Sequence, residues 1–262
     1  MISPYTNVES QSNLEDWVSF YKNKKSIKNI KDVRYDFSWE HIFKELLNDS
    51  RFNKIEHLLQ NSIEPIFPSP ANLYYAFLLT PLHNTKVVIL GQDPYFNIEL
   101  HYNKRIPQAT GLSFSVPIGF SIPSSLKNIF TNQKINKSRL FDPTSGNLEF
   151  WAEQGCLMLN TALTVKNGKP ASHLNEWEWF TDEIIKYISS HCDFLIFVFW
   201  GNNAYKKKSL IDEKKHIVLA SSHPSGLSYK QSTKNFQSFE SSNHFGEINK
   251  IFKSKGITPI IW

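Results

Sequence analysis

Cysteine is scarce in this chain, which has only Cys156 and Cys192 among its 262 residues. Two thiols cannot build a disulfide framework, a four-thiolate zinc site or an iron–sulfur cluster. Long apolar runs are also missing, since no segment approaches the ~18 residues of a membrane span and no secretory leader is recognisable at the N-terminus. We therefore expect an intracellular protein with reduced thiols and no contact with a membrane.

Long blocks of one charge sign are absent as well. Lys plus Arg number 29 and Asp plus Glu number 24, so the formal net charge is only +5. This mild excess permits a polyanionic partner, but ordinary solvated lysines explain it equally well. A chain of 262 residues with 40% apolar content can bury a large core, and we expect one domain.

The chain divides into a polar start and a longer patterned region. Residues 1–35 are rich in lysine and polar side chains, which indicates an N-terminal arm or a peripheral helix, and the domain is expected over 36–262. Apolar spacing predicts helices near 42–47, 55–59, 73–79 and 177–188, and strands at 87–90, 156–159, 195–200 and 217–220. Strands that alternate with helices favour an α/β fold with a mostly parallel sheet covered by helices on both faces.

The segment after the first strand has no clear period. We interpret residues 96–110 as an extended loop, and residues 111–117 as a return to strand-like sequence.

Polar side chains follow three of the predicted strands directly. Gln92 and Asp93 come after the first, Asn160 ends the second, and His223 lies just beyond the last. Open parallel sheets bind ligands at the carboxyl ends of their strands, so these groups are candidates for one pocket. Each also has an ordinary explanation, because Asp before Pro starts turns, Asn caps strands, and a lone His is more often structural. Their joint placement favours the pocket.

Four segments around these residues resemble the family 1 uracil-DNA glycosylases. They are Gly-Gln-Asp-Pro-Tyr at 91–95, Gly-Leu-Ser-Phe-Ser at 111–115, Leu-Met-Leu-Asn at 157–160 and His-Pro-Ser-Gly-Leu-Ser at 223–228. Further ordered matches run from about Pro65 to Trp262. The resemblance implies a single α/β domain whose central, mostly parallel sheet has four strands.

The same resemblance implies an activity. It is hydrolysis of the N-glycosidic bond of deoxyuridine in single- or double-stranded DNA, after the base has flipped out of the helix, leaving an abasic site for base-excision repair. No lysine Schiff base is implied, so the glycosylase would be monofunctional and would leave the strand uncut. No metal and no cofactor are implied.

Residue roles carry over position by position. Asp93 would orient or deprotonate the attacking water and stabilise an oxocarbenium-like state, while neutral His223 would donate to O2 of the leaving uracil. The substrate-binding residues would be Gln92, Tyr95, Phe114 and Asn160. The DNA-binding residues would be Ser125, Asn202, Ser225, Leu227 and Ser228, with Leu227 as the apolar wedge.

Several positions depart from the family. Phe96 stands where His is usual, which removes a donor, and the 96–110 segment is about eight residues longer than expected. Asn202 replaces a usual Ser, and Gly226 replaces a usual Pro in the wedge loop. These changes affect water positioning and DNA contacts, while the carboxylate and the imidazole are retained.

The expected partner is uracil-containing DNA, with a proteinaceous glycosylase inhibitor or a replication factor as further candidates, and the protein is expected to be a monomer. Its location would be the cytoplasm of a bacterium, or otherwise a nucleus or a viral replication site. Two other functions stay open. A DNA-binding module would keep the fold but would need none of Asp93, Asn160 and His223, and a sugar or nucleoside hydrolase would not need the Leu227 loop.

Overall fold

The structure is a computed structural model that describes residues 15–22, 30–101, 103–138 and 143–262. Its strands are β1 (Ile66–Phe67), β2 (Val87–Gly91), β3 (Ile98–His101), β4 (Lys104–Pro107), β5 (Cys156–Asn160), β6 (Val165–Lys166), β7 (Ile196–Trp200) and β8 (Ile217–Ser221). Its α-helices are α1 (Trp17–Lys22), α2 (Glu40–Asn48), α3 (Phe52–Gln60), α4 (Tyr75–Leu79), α5 (Ser124–Ile135), α6 (Glu149–Glu153), α7 (Leu174–His191), α8 (Asn202–Tyr205) and α9 (His244–Ser254). Short 3-10 helices, including Lys206–Leu210, join several of them.

A four-stranded parallel sheet forms the centre, in the order β5-β2-β7-β8. Every residue of β2, β5 and β7 is buried. Because successive side chains of a strand point to opposite faces, burial of all of them shows that both faces are covered. The predicted α/β fold with helices flanking a parallel sheet is confirmed.

The predicted helices are confirmed as amphipathic elements packed on this core. Helix α7 buries Trp177, Phe180, Ile184 and Ile188, which recur at the spacing of one helix face. Helices α2 and α3 likewise bury the apolar residues of their inner faces. Burial of these stripes against the sheet sets the positions of the loops at the carboxyl edge.

The extended loop predicted over 96–110 is wrong, because this segment contains an antiparallel hairpin of β3 and β4. The hairpin could not be predicted from the sequence pattern, because only Ile106 of its eight strand residues is buried and no apolar alternation marks the strands. Glu99 of β3 accepts from Gln108 Nε2 at 2.6 Å, next to the end of β4, and from the Ser121 amide at 3.4 Å, which joins the hairpin to the loop before α5.

Residues 111–117 also differ from the expectation, since they form turns and irregular backbone instead of a strand. Gly111 and Phe114 have φ values of +89° and +61°, which break an extended conformation. A glycine tolerates this at little cost, whereas Phe114 is a strained position, and such strain is often found at functional sites.

The expected N-terminal arm falls partly on residues 1–14 and 23–29, which lie outside the described residues. Within the described part, α1 packs on the domain, because Trp17 is buried and donates from Nε1 to the Pro68 carbonyl at 2.8 Å. No helix in the described ranges has the length and apolar character to cross a membrane.

Candidate active site

A cavity of about 140 Å³ opens at the carboxyl ends of the parallel strands. Its walls are Gly91, Gln92, Asp93, Pro94, Tyr95, Phe96, Phe114, Ser125, Asn160 and His223. All the predicted catalytic and substrate-binding residues therefore meet in one place. They converge because β2, β5 and β8 run parallel and end at the same edge, with Gly91 directly opposite Asn160 in the register.

Asp93 is held at both carboxylate oxygens. Oδ2 accepts from the Ala171 amide at 2.6 Å, and Oδ1 accepts from Gln92 Nε2 at 3.4 Å. Burial raises the pKa of the Asp93 carboxyl, and the two donors oppose this rise because they stabilise the charged form. The carboxylate is thus fixed in direction and partly stripped of water, which suits it to act on a cationic centre.

His223 is fixed as a neutral imidazole with a defined tautomer. The Ser225 amide donates to His223 Nδ1 at 3.0 Å, so Nδ1 carries the lone pair and Nε2 carries the hydrogen. Burial lowers the pKa of His223 to about 4. A neutral ring that offers one N–H at the cavity can stabilise an anion as it forms.

Asn160 lies in the floor of the cavity with its amide unused by the protein. The residue is only 4% exposed, and no described residue hydrogen-bonds to its amide oxygen or nitrogen. Gly91 makes room for it, since a Cβ at Gly91 would lie 2.3 Å from Asn160 Oδ1. A buried amide with one free donor and one free acceptor is a specific recognition element, because leaving either group unpaired is costly.

Two aromatic rings shape the cavity. Phe114 lies with its ring centroid 5.2 Å from Trp200 and 6.0 Å from His223. The Tyr95 hydroxyl donates to the Phe114 carbonyl at 3.3 Å, which links the two walls. Phe96, where the family usually has His, packs against Phe67 and Val165 and adds a third apolar surface.

The loop after His223 presents an apolar tip. Leu227 is 87% exposed, although the base of its loop is tied down by Ser222 Oγ, which donates to the Ser228 carbonyl at 2.7 Å. Asn128 of α5 donates to the Pro224 carbonyl at 2.7 Å and joins the loop to the helix that carries Ser125. A large apolar side chain held in water by a rigid loop is suited to insertion between stacked bases.

The remaining predicted DNA-binding residues lie around the same opening at different depths. Ser125 lines the cavity, and Ser225 and Ser228 are half-buried in the loop of Leu227. Asn202 is exposed at the start of α8, beyond the cavity wall.

Two contacts in this site escaped sequence analysis. The Ala171 amide reaches Asp93 from 78 positions away, and Asn203 Nδ2 donates to Gln92 Oε1 at 2.6 Å across 111 positions. No local pattern marks an alanine amide or a single loop asparagine as part of a site. Within the described residues, no group of three or more His, Cys, Asp and Glu residues could hold a metal ion.

Comparison with known proteins agrees with this geometry. Residues 77–252 match the model of the uracil DNA glycosylase superfamily. The uracil-DNA glycosylase of Buchnera aphidicola subsp. Cinara cedri is 46% identical over 211 residues, which cover 80% of this chain and 86% of the relative. That of Helicobacter hepaticus is 40% identical over 240 residues, which cover 89% of this chain and 97% of the relative.

Solved structures give the same result. The crystal structure of mimivirus uracil-DNA glycosylase has a TM-score of 0.90 at 33% identity and covers 100% of this chain and 99% of its own. A variant of the mimivirus protein, solved in complex with UGI, also has a TM-score of 0.90 at 33% identity and covers 99% of this chain and 98% of its own. Since the matched region of the sequence contains every residue of the cavity, the chain belongs to the uracil DNA glycosylase superfamily.

Proposed function

We propose that this protein is a uracil-DNA glycosylase that hydrolyses the N-glycosidic bond of deoxyuridine in DNA and so begins base-excision repair. The observation that carries the proposal is the cavity of about 140 Å³ that Asp93 and His223 share, because it brings a carboxylate and a neutral imidazole to one space. The family of the chain supports the same conclusion.

Uracil is selected by Asn160 and the aromatic walls. The amide oxygen accepts from uracil N3–H and the amide nitrogen donates to O4, whereas cytosine presents the opposite pattern at both positions. An unpaired buried polar group costs about 1–3 kcal/mol, so cytosine loses two such contacts together. Phe114 stacks on the base, and the Tyr95 ring occupies the space that the 5-methyl group of thymine would need.

Asp93 and His223 act on the two charges that appear as the bond breaks. The sugar becomes cationic near C1′ and uracil becomes anionic at O2. The Asp93 carboxylate stabilises the sugar cation and orients the water that attacks it. The His223 Nε2–H and the main-chain N–H of Gln92 donate to O2, and their contribution grows as charge develops.

The base reaches this cavity by leaving the DNA helix. Leu227 fills the space that the base vacates, while Ser125, Asn202, Ser225 and Ser228 hold the flanking phosphates. The same face would accept a proteinaceous inhibitor of the kind that UGI represents for the mimivirus relative. We assign this activity to the domain at 36–262.

A base-release assay tests the proposal. The protein is incubated with matched oligonucleotides that contain one uracil, thymine or cytosine, and abasic sites are then revealed by cleavage with alkali. We expect cleavage only at uracil and its loss in Asp93→Asn, with DNA affinity retained. Tight binding without abasic product would contradict the proposal and favour a DNA-binding module, whereas release of uracil from free deoxyuridine alone would indicate a nucleoside hydrolase.

A further inference from the structure

A chain of three side chains runs from the surface into the active site. Asn203 of α8 donates from Nδ2 to Gln92 Oε1 at 2.6 Å. Gln92 in turn donates from Nε2 to Asp93 Oδ1 at 3.4 Å. Because each amide has one accepting and one donating end, the first bond turns the donating end of Gln92 toward the carboxylate.

The outer end of this series of side chains lies next to a segment that is anchored to α7. Lys207 lies in the 3-10 helix that continues α8, and its Nζ contacts Glu178 Oε1 at 2.5 Å and Asp182 Oδ1 at 2.7 Å. The lysine is only 6% exposed, and both carboxylates belong to α7. The Glu178 contact is a charge-assisted hydrogen bond and the Asp182 contact is an ion pair, and together they hold the 3-10 helix that follows Asn203 against α7.

Gln92, the middle residue of the series, depends on Asn203 only for the orientation of its side chain. The Gln92 carbonyl accepts from the Ala162 amide at 2.9 Å, so the backbone of Gln92 is already held by the sheet edge. Its side chain has several rotatable bonds and would otherwise occupy several rotamers. Asn203 selects the rotamer that reaches Asp93.

The Gln92 side chain donates to one of the two carboxylate oxygens of Asp93. Asp93 Oδ2 keeps the Ala171 amide whatever Gln92 does, whereas Oδ1 has the Gln92 side chain as its donor among the described residues. If the glutamine swings away, the carboxylate loses one of the two contacts that set its plane. Its direction relative to the sugar then becomes less defined.

We propose that Asn203 is a positioning residue for glycosidic hydrolysis, which orients the Gln92 side chain and through it the Asp93 carboxylate. The kinetic consequence rests on the proposed function, but the structural link does not. Asn203 does not line the cavity, and its effect on the reaction passes through Gln92.

The pKa of Asp93 in the free protein tests the link without any substrate. Carbon-13 NMR of the carboxyl group is followed against pH in the wild type, Asn203→Ala, Asn203→His and Asn53→Ala. His223 and Tyr95 are the other titratable groups that line the cavity. Burial lowers the pKa of His223 to about 4 and raises the pKa of Tyr95. The His223 ring is therefore followed in the same titrations, so that its protonation can be separated from that of Asp93.

The expected pattern is specific. The pKa of Asp93 rises further in Asn203→Ala, because a Gln92 side chain that occupies several rotamers donates less often to the Asp93 carboxylate and stabilises its charged form less. Asn203→His supplies a ring N–H at the same place and restores the wild-type value, and the exposed Asn53 on α3 serves as a matched control without effect. An unchanged pKa in Asn203→Ala would overturn the proposal.

Single-turnover kinetics with a uracil oligonucleotide give the second readout. Asn203→Ala is expected to slow base release by about 3- to 10-fold with unchanged DNA affinity, the size expected for loss of one hydrogen bond. In a Gln92→Ala background the same change should have no further effect, because the intermediary is gone. An equal loss in both backgrounds, or a loss confined to DNA affinity, would refute positioning through Gln92. If the wild type released no uracil, the proposed function would fail while the pKa measurement still decided the link.

Discussion

Gly91→Ala is expected to disable uracil recognition without adding a polar or charged group. A Cβ at this position would lie 2.3 Å from Asn160 Oδ1 and 2.9 Å from Ser113 Cβ, whereas ordinary contacts begin near 3.4 Å. The Asn160 amide must therefore retreat by about 1 Å, and a displacement of that size can cost ~10²-fold in rate when it misplaces a group that holds the substrate. The backbone itself tolerates alanine, since Gly91 does not have a positive φ.

The assay is single-turnover release of uracil from a single-stranded oligonucleotide, with thermal unfolding to confirm that the variant is folded. We expect a rate about 100-fold below the wild type. Asn53→Ala is the control, because Asn53 is exposed on α3 and does not line the cavity, so this variant should keep the wild-type rate. In an Asn160→Ala background, Gly91→Ala should lower the rate little further, since the amide that it displaces is absent. A folded Gly91→Ala protein with the wild-type rate would refute this account of the cavity floor.

Three further outcomes are expected. Leu227→Ala should slow uracil release from double-stranded DNA by about 10-fold or more and leave release from single strands unchanged, because the wedge matters only where bases are stacked. Leu100→Ala, at another exposed leucine, should leave both rates unchanged. Equal losses on both substrates in Leu227→Ala would count against the wedge. Tyr95→Ala should open space for a 5-methyl group and give measurable release of thymine, and continued rejection of thymine would remove that role from the ring. Acid should destabilise the fold between pH 6.5 and about 4, because burial lowers the pKa values of His173 and His244 to about 4 and the unfolded chain therefore binds more protons than the folded chain in that window. Urea titrations should show that the free energy of unfolding falls by up to about 2 kcal/mol for each histidine by pH 5. Equal stability at pH 7 and pH 5 would contradict this prediction.

Much of the site was predictable from the sequence because it depends on strand ends. Asp93, Asn160 and His223 each follow an apolar run, and parallel strands bring such positions to one edge. The buried strands and the long helix α7 carry strong apolar patterns, so their existence could be predicted from spacing alone.

The parts that could not be predicted depend on contacts between distant segments or on exposed structure. The β3–β4 hairpin buries only Ile106 among its strand residues, and this leaves no periodic signal. The Ala171 amide and the Asn203 side chain reach their partners across 78 and 111 positions, which no local motif records. Phe114 gives no sign in sequence of its positive φ, because the conformation is imposed by the packed loop around it.

The central claim is that a neutral imidazole and a carboxylate act together on the bond between sugar and base. Nitrogen-15 NMR of His223, in the free protein and with uracil-containing DNA bound, tests it most directly. The account predicts a hydrogen on Nε2, a bare Nδ1 that accepts from the Ser225 amide, and no protonation until the pH falls to about 4. A doubly protonated ring at neutral pH, or a hydrogen on Nδ1, would contradict it.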